Sequence, residues 1–204
     1  MNTNTIEHIQ NRSTTMLKVL NVINWGAIII FLLLIVNIIR AGFFPAESFH
    51  VEQGVANWSM RTDKSNITFL IPFSILQPLS SEMFEAKSAY ITYSLFNTLT
   101  FMFVLLYGIK QVKDILYSII NSYTPFTIAN TTRLRNLAFG IIGYGLFGKL
   151  IVNLSVALFV TQIVSITIFE IFNIFSIISG ILLLIISHIF KYGVYLQEES
   201  DTTL

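Results

Sequence analysis

Residues 136–160 read "NLAFGIIGYGLFGKLIVNLSVALFV" and contain a single charged side chain, Lys149. Inside this run, "GYGLFGKL" (143–150) has the glycine and lysine spacing of a phosphate-binding loop. Such a loop needs a buried strand before it and a Ser or Thr after the lysine, but Leu150 stands at the hydroxyl position and both flanks are apolar. The run is long enough to cross a hydrocarbon core, which takes about 20 residues of helix. It therefore predicts a transmembrane helix and excludes a nucleotide site.

The composition of the whole chain supports a membrane protein. Of its 204 residues, 54% are hydrophobic and only 11% are charged, and the mean hydropathy is +0.71, values outside the range of soluble domains. The net charge of +1 gives no electrostatic reason to expect direct nucleic-acid binding. The absence of cysteine excludes disulfides, thiolate metal sites and cysteine nucleophiles.

Three further segments are, like the opening run, apolar and long enough to cross a membrane. We predict transmembrane helices at 19–39, 89–109, 137–160 and 166–190. Proline kinks or ends a helix, and all four prolines fall outside these spans: Pro45, Pro72, Pro78 and Pro125. The predicted fold is an all-α membrane protein, with four helices in an antiparallel bundle that forms one domain over residues 1–204.

The placement of basic residues predicts the orientation of this bundle, because Lys and Arg near helix ends are retained in the cytoplasm. One side of the predicted bundle carries most of them: Arg12, Lys18, Lys110, Lys113, Arg133, Arg135 and Lys191. Both termini are therefore expected in the cytoplasm. The cytoplasmic parts would be the tails 1–18 and 191–204 and the segment 110–136, and the loop 40–88 would lie outside.

The outer loop contains "NITFLIPFSIL" (66–76), which is rich in β-branched and aromatic residues. This composition predicts a short strand or β-hairpin at the membrane surface, with Pro72 restricting it to an edge. The loop is interpreted either as a packed cap over the helix ends or as a sensor surface. His50, Glu47 and Glu52 are too weak a set to predict a metal site.

Small and charged residues in the third span raise a separate question. Its glycines, Gly140, Gly143, Gly145 and Gly148, predict close helix packing. A charge in the hydrocarbon region usually has a partner. Helical spacing places Lys149 and Asn153 on one face of the third helix, and Glu170 and Asn173 on one face of the fourth. We predict a Lys149–Glu170 ion pair, and both a structural role and a proton or ion pathway stay open for it.

The segment between the second and third spans begins with "IKQVKDILYSIINSY" (109–123), whose apolar residues have helical spacing. This pattern predicts an amphipathic extension that ends before Pro125, and with the start of the next helix it predicts a helical hairpin that projects into the cytoplasm. Asn130 or Thr131 is expected to cap the next helix, with Arg133 and Arg135 in its first turns at the headgroup level.

Two motifs on this side of the chain carry a family resemblance. The run "YTPFTIANTTRLRNLAFG" (123–140) resembles the Pro-Phe, Asn and Leu-Arg signature of a bacterial membrane family catalogued as domain of unknown function 2975. The ending "IFKYGVYLQEESDTTL" (189–204) is similar to the C-terminal pattern of that family. The resemblance implies a gene of the kind often encoded beside a small helix-turn-helix transcription regulator of the Cro type, in a family for which no enzymatic activity is established.

The two motifs define a predicted partner surface on the cytoplasmic side. Its residues are Pro125, Phe126, Asn130, Arg133, Arg135, Gln197, Glu199 and Asp201. The arginines and the acidic tail either pair with each other or both face a partner.

The predicted function is that of a multi-pass regulatory protein of the bacterial inner membrane. Its expected surroundings are the lipid bilayer and a cytosolic partner such as a small helix-turn-helix regulator. The alternative is a small transporter or permeability factor that uses the polar helix faces. The sequence predicts no catalytic residues, no cofactor and no enzyme activity, and it leaves the oligomeric state open.

Overall fold

The computed structural model describes the backbone of residues 3–77, 84–163 and 171–202, and the side chains within these ranges except those of 3–9 and 201. Most of this backbone is α-helical, and a small sheet follows the first helix. The helices are α1 (Thr3–Gly42), α2 (Ala86–Ser122), α3 (Ile128–Val156) and α4 (Ile174–Thr202). The strands are β1 (Phe49–Gln53), β2 (Asn57–Thr62) and β3 (Ser65–Pro72). A 3₁₀ turn (Ala46–Ser48) precedes β1, and a π-helical turn (Ala157–Thr161) extends α3.

The described part of the chain has four helices that are long and apolar enough to cross a membrane, as the sequence predicted. Helix α1 has 40 residues, which at about 1.5 Å per residue makes it roughly twice as long as the hydrocarbon core is thick. It also leaves large apolar side chains exposed, among them Val22 at 73% and Leu33 at 64%. Such a surface suits contact with lipid and is unusual in water. The predicted fourth span, 166–190, starts in a segment outside the described residues.

The end of α2 and the start of α3 are set by local backbone chemistry. The chain leaves α2 at Tyr123, whose φ of 58° is left-handed and whose N–H donates to the carbonyl of Ile119, a common way for a helix to end. The hydroxyl of Thr127 then accepts the N–H of Asn130 at 3.1 Å, which makes Thr127 the N-cap of α3. The prediction that Asn130 or Thr131 caps this helix was therefore wrong, because the Asn130 side chain is used elsewhere.

The chain divides into two compact units. The turn unit comprises Met1–Ile28, Phe103–Gly143 and Ile174–Leu204, and the sheet unit comprises Ile29–Met102 and Tyr144–Asn173. Each unit takes segments of several helices and has its own packing.

The sheet unit contains an antiparallel sheet with the strand order β1-β2-β3. The strand predicted within 66–76 is β3, an edge strand of the sheet, and it ends at Pro72. Proline has no backbone N–H to donate, and it is tolerated on an edge strand. An isolated hairpin is barely stable in water, whereas a third strand and packing against helices stabilise a sheet. Here the sheet packs against α2 and α3 in one hydrophobic core. Its least exposed large residues are Trp58, Met60, Ile71, Leu76, Tyr90, Val152 and Val156.

A polar network anchors β3 to α1 and α2. The Ser65 hydroxyl donates to Oδ1 of Asn37 at 2.8 Å, and Nδ2 of Asn37 donates to the Tyr90 hydroxyl at 3.2 Å. The Tyr90 hydroxyl in turn donates to the carbonyl of Ile67 at 3.3 Å. The ring of Tyr90 packs edge-on against Phe69, so one fully buried tyrosine supplies both apolar contact and a hydrogen bond.

Glycines permit close helix contacts in the turn unit, but only some of the predicted ones do so. A methyl group on Gly140 would lie 3.1 Å from the Tyr107 ring of α2, whereas one on Gly143 would meet nothing within 4 Å. A closer approach than at Gly140 occurs at Gly180 of α4. A methyl group there would lie 2.9 Å from the carbonyl oxygen of Ala138 in α3 and would collide with Ile142.

The surface of the sheet carries two ion pairs, His50–Asp63 at 2.8 Å and Arg61–Glu52 at 2.9 Å. Two of the three weak candidate metal ligands, His50 and Glu52, are therefore engaged with other side chains. Within the described ranges, no group of three or more His, Asp or Glu side chains is placed to hold a metal ion.

The His50–Asp63 pair predicts a specific titration. The hydrogen bond from His50 lowers the pKa of Asp63 below its ordinary value of 3.8. The folded-state pKa thus lies below the unfolded one, so the stabilisation is present above about pH 3.8 and is lost as the pH falls through the lowered pKa. Both side chains are largely exposed, at 42% and 63%, so the effect on the free energy of unfolding is small. In an NMR titration of Asp63, His50→Ala should raise its pKa toward 3.8, and Lys64→Ala, which removes a weaker influence, should raise it less; equal shifts would contradict the assignment.

Candidate functional site

The two segments that resemble the family signature meet in the turn unit. The Thr124 hydroxyl donates to Oε1 of Gln197 in α4 at 3.1 Å. The ring of Phe126 packs on Phe190 with centroids 5.3 Å apart, and it also lies directly beside Gly193. We call this set of five residues the turn lock, because it fastens the turn between α2 and α3 to the last turns of α4.

Gly193 is the residue that lets Phe126 approach α4. A methyl group at this position would lie 2.5 Å from Cδ1 of Phe126, well inside van der Waals contact. Glycine is normally unfavourable inside a helix by about 1 kcal/mol relative to alanine. Its presence here is explained by the aromatic ring that occupies the space of a side chain.

Asn130 stabilises the turn from the side of α3. Its side chain is fully buried, its Nδ2 donates to the carbonyl of Pro125 at 3.1 Å, and its Oδ1 accepts Nη1 of Arg133 at 2.9 Å. A second bond to α4 follows one residue later, where the Ser187 hydroxyl donates to the carbonyl of Thr131 at 3.0 Å. The start of α3 is thus bonded both to the preceding connection, through Pro125, and to α4, through Ser187.

The structure separates the predicted partner surface into inner and outer residues. Asn130 is buried, and Pro125, Arg133 and Gln197 are half-buried. Phe126 packs on Phe190 of α4 and keeps 38% of its surface exposed. The side chains of Arg135 and Glu199 are exposed, and that of Asp201 lies outside the described part. The inner residues join the turn to α4, and Arg135 and Glu199 lie at the surface.

Sequence reasoning missed three residues of this site. Thr124, Thr127 and Phe190 make direct contacts at the turn but were not singled out. A signal existed for Phe190, because it lies three residues before Gly193 and seven before Gln197, a spacing that places all three on one helical face.

Of the predicted intramembrane pair, the structure describes Lys149, which lies in the sheet unit. Lys149 is half-buried in α3, and Nδ2 of Asn153, one turn later, donates to the carbonyl of Ser74 at 3.2 Å. The backbone N–H of Asn173 donates to the carbonyl of Gly145 at 2.8 Å. Glu170 lies outside the described residues, so the Lys149–Glu170 ion pair stays a prediction.

The Asn130 network predicts a measurable loss of stability in Asn130→Asp. The carboxylate of the variant can still accept the hydrogen bond from Arg133, but it cannot donate one to the carbonyl of Pro125. The carbonyl oxygen of Pro125 and the carboxylate oxygen would then both carry negative charge and repel each other. We expect the free energy of unfolding in mixed micelles to fall by about 1–3 kcal/mol. Asn121→Asp makes the same chemical change at an exposed position in the last turn of α2, where the unfavourable charge–dipole interaction is worth only about 0.3–1 kcal/mol, so its effect should be smaller. Equal stability of the two variants would show that the Asn130 bonds are unimportant.

Comparison with known proteins agrees with the motifs that form this site. The family described as "Protein of unknown function (DUF2975)" matches residues 59–204, a range that runs from β2 through α4 and includes the whole turn lock. No curated protein matches the chain, and no solved structure does. The match covers well over half of the sequence and confirms the resemblance, so the chain belongs to the DUF2975 family.

Proposed function

We propose that the chain is a regulatory protein of the bacterial inner membrane that captures a cytosolic partner. In this proposal the four helices form an antiparallel bundle, and both termini and the turn between α2 and α3 lie in the cytoplasm. The orientation is supported by the basic residues near the helix ends on that side, including Lys18, Lys110, Arg135 and Lys191.

The observation that carries the proposal is the turn lock together with the buried Asn130 beside it. A segment that only connects two transmembrane helices does not need a buried asparagine, an aromatic pair and a side-chain bond to a third helix. These contacts hold the turn and the end of α4 in one fixed arrangement, and a preorganised surface loses less conformational entropy on binding.

The partner face consists of the exposed residues around the lock. Tyr123 is 47% exposed, Ile128 55% and Tyr195 52%, and Arg135 and Glu198 add charges of both signs. Aromatic residues and arginine are enriched in protein interfaces, while flanking charges set specificity. The family resemblance suggests a small helix-turn-helix regulator as the partner.

A matched set of charge changes tests this function. The full-length protein would be purified from cross-linked cells, and the co-purified cytosolic proteins would be quantified by mass spectrometry. We expect a small helix-turn-helix regulator to be enriched, and Arg135→Glu combined with Glu198→Lys to lower this enrichment at least tenfold. The control Arg12→Glu changes an exposed cation of α1 and should retain the partner. Unchanged enrichment in the double variant, or no such regulator with the wild type, would reject the proposal.

The alternative of a small transporter or permeability factor stays a prediction. A cavity beside Asn153 in the sheet unit has a volume of about 30 Å³, which is room for about one water molecule. No contact or cavity among the described residues specifically favours transport, so the regulatory function is the one we propose.

A further inference from the structure

A groove between α2 and α3 in the turn unit is lined by residues that belong neither to the turn lock nor to the proposed partner face, and it shares only the flanking Arg135 with that face. It is open on one side and has a volume of about 400 Å³, in the range of small-molecule sites. The groove is lined by Phe103, Val104, Tyr107, Asn136, Phe139 and Gly140. Gly140 gives it depth, because any larger residue would project toward the Tyr107 ring.

The two rims of the groove are aromatic and face outward. Phe103 on α2 is 74% exposed and Phe139 on α3 is 55% exposed, although both lie within predicted membrane spans. Two half-buried side chains of the lining carry hydrogen-bonding groups, the amide of Asn136 and the hydroxyl of Tyr107. The groove thus offers a long apolar wall with the Asn136 amide near one end.

Each rim continues into an exposed cation at that same end. Lys110 lies three residues after Tyr107, and Arg135 lies four residues before Phe139, spacings that keep each cation on the side of its own rim. Both side chains are exposed. The predicted spans end at residue 109 and begin at residue 137, so the two cations are placed at the level of the lipid headgroups.

The contacts between the helices put these cations at similar heights. Gly108 packs beside Leu137, and Tyr107 packs beside Gly140, so the chain runs in opposite directions along the two helices here. Moving from these contacts toward the turn reaches Lys110 on α2 and, within about one helical turn, Arg135 on α3. A single anionic group between the rims is therefore close to both positive charges.

We propose that the α2–α3 groove binds an anionic phospholipid of the bilayer. Its acyl chain lies against Phe103 and Phe139, and its phosphate lies between Lys110 and Arg135, with the Asn136 amide available to a phosphate or ester oxygen. Charge complementarity selects an anionic lipid over a zwitterionic one, because two cations remain uncompensated when the bound headgroup has no net charge.

Native mass spectrometry of the full-length protein released from nanodiscs tests the proposal. The nanodiscs would contain equal amounts of phosphatidylglycerol and phosphatidylcholine, and the lipids retained by each chain would be counted. We expect the wild type to retain phosphatidylglycerol in preference. Lys110→Gln and Arg135→Gln should each lower this retention about fivefold, and the double variant about 25-fold.

The control Lys113→Gln removes the same charge from the same helix. Lys113 is not three, four or seven residues from any groove residue of α2, so its loss should change retention less than twofold. Gly140→Leu fills the groove without changing the charge and should also release the lipid. The proposal is overturned if Lys113→Gln acts as strongly as Lys110→Gln, if phosphatidylcholine is retained equally well, or if millimolar inorganic phosphate displaces the lipid.

Discussion

Replacing Gly180 with valine is expected to disrupt the packing of α4 against α3. At this position even a methyl group would lie 2.9 Å from the backbone oxygen of Ala138 and would collide with Ile142. A backbone atom cannot move aside as a flexible side chain can, so the helices themselves must separate. Overpacking of a well-packed site costs about 1–3 kcal/mol and sometimes more, and we expect Gly180→Val at or above the upper end of this range.

Gly143→Val is the matched control for this prediction. It places the same side chain in the middle of a transmembrane helix, but a methyl group on Gly143 meets nothing within 4 Å. The change in helix propensity is the same in both variants, so their difference isolates the steric effect. Unfolding in mixed micelles and the monodisperse fraction on size exclusion measure the outcome. Equal stability of the two variants would show that α3 and α4 do not approach closely at Gly180.

The second large effect is expected for Trp58→Ala in the sheet unit. Trp58 is 2% exposed, its Nε1 donates to the carbonyl of Leu76 at 3.1 Å, and its ring packs edge-on against Phe73 and Phe84. Removing a buried tryptophan leaves a large cavity, which typically costs about 3–5 kcal/mol. The Leu76 carbonyl would also lose its partner. We expect the sheet to open and become sensitive to protease while the helices remain in the membrane.

Leu70→Ala is the control for Trp58→Ala. Leu70 lies on β3 of the same sheet, but its side chain is 55% exposed, so its removal leaves no cavity. Limited proteolysis of the protein in micelles should cut the Trp58→Ala sheet many times faster than that of the wild type or of Leu70→Ala. Similar cleavage rates in the two variants would contradict the assignment of Trp58 to the core.

The elements that follow from local pattern could be predicted from the sequence. Apolar length identified the four helices, and β-branched and aromatic residues identified β3. Strands β1 and β2 read "FHVEQ" and "NWSMRT", which mix polar and apolar residues without a strong strand signal. They become strands because they pair with each other and with β3 and because Trp58 and Met60 reach the core.

The contacts of the candidate site depend on residues that are distant in sequence, and sequence reasoning reached them only in part. The motifs identified Phe126, Asn130 and Gln197 as important, but not that Phe126 packs against Gly193. Asn130 and Thr127 are equally good capping residues, and the geometry of the turn, which directs Asn130 to Pro125, decides between them. The predicted packing glycines were all in α3, whereas Gly180, where a methyl group would collide with Ile142, lies in α4 and was not predicted.

The proposed function depends on the predicted orientation, in which the segment 110–136 lies in the cytoplasm and the loop 40–88 lies outside. The chain has no cysteine, so single cysteines at Val55 in the β1–β2 connection and at Asn121 near the end of α2 give unambiguous labelling; both positions are exposed. With a membrane-impermeant maleimide on intact bacterial cells, we expect Val55→Cys to be labelled, and Asn121→Cys to be labelled only after the membrane is opened. Labelling of Asn121→Cys in intact cells, with Val55→Cys protected, would contradict the proposed orientation and with it the capture of a cytosolic partner.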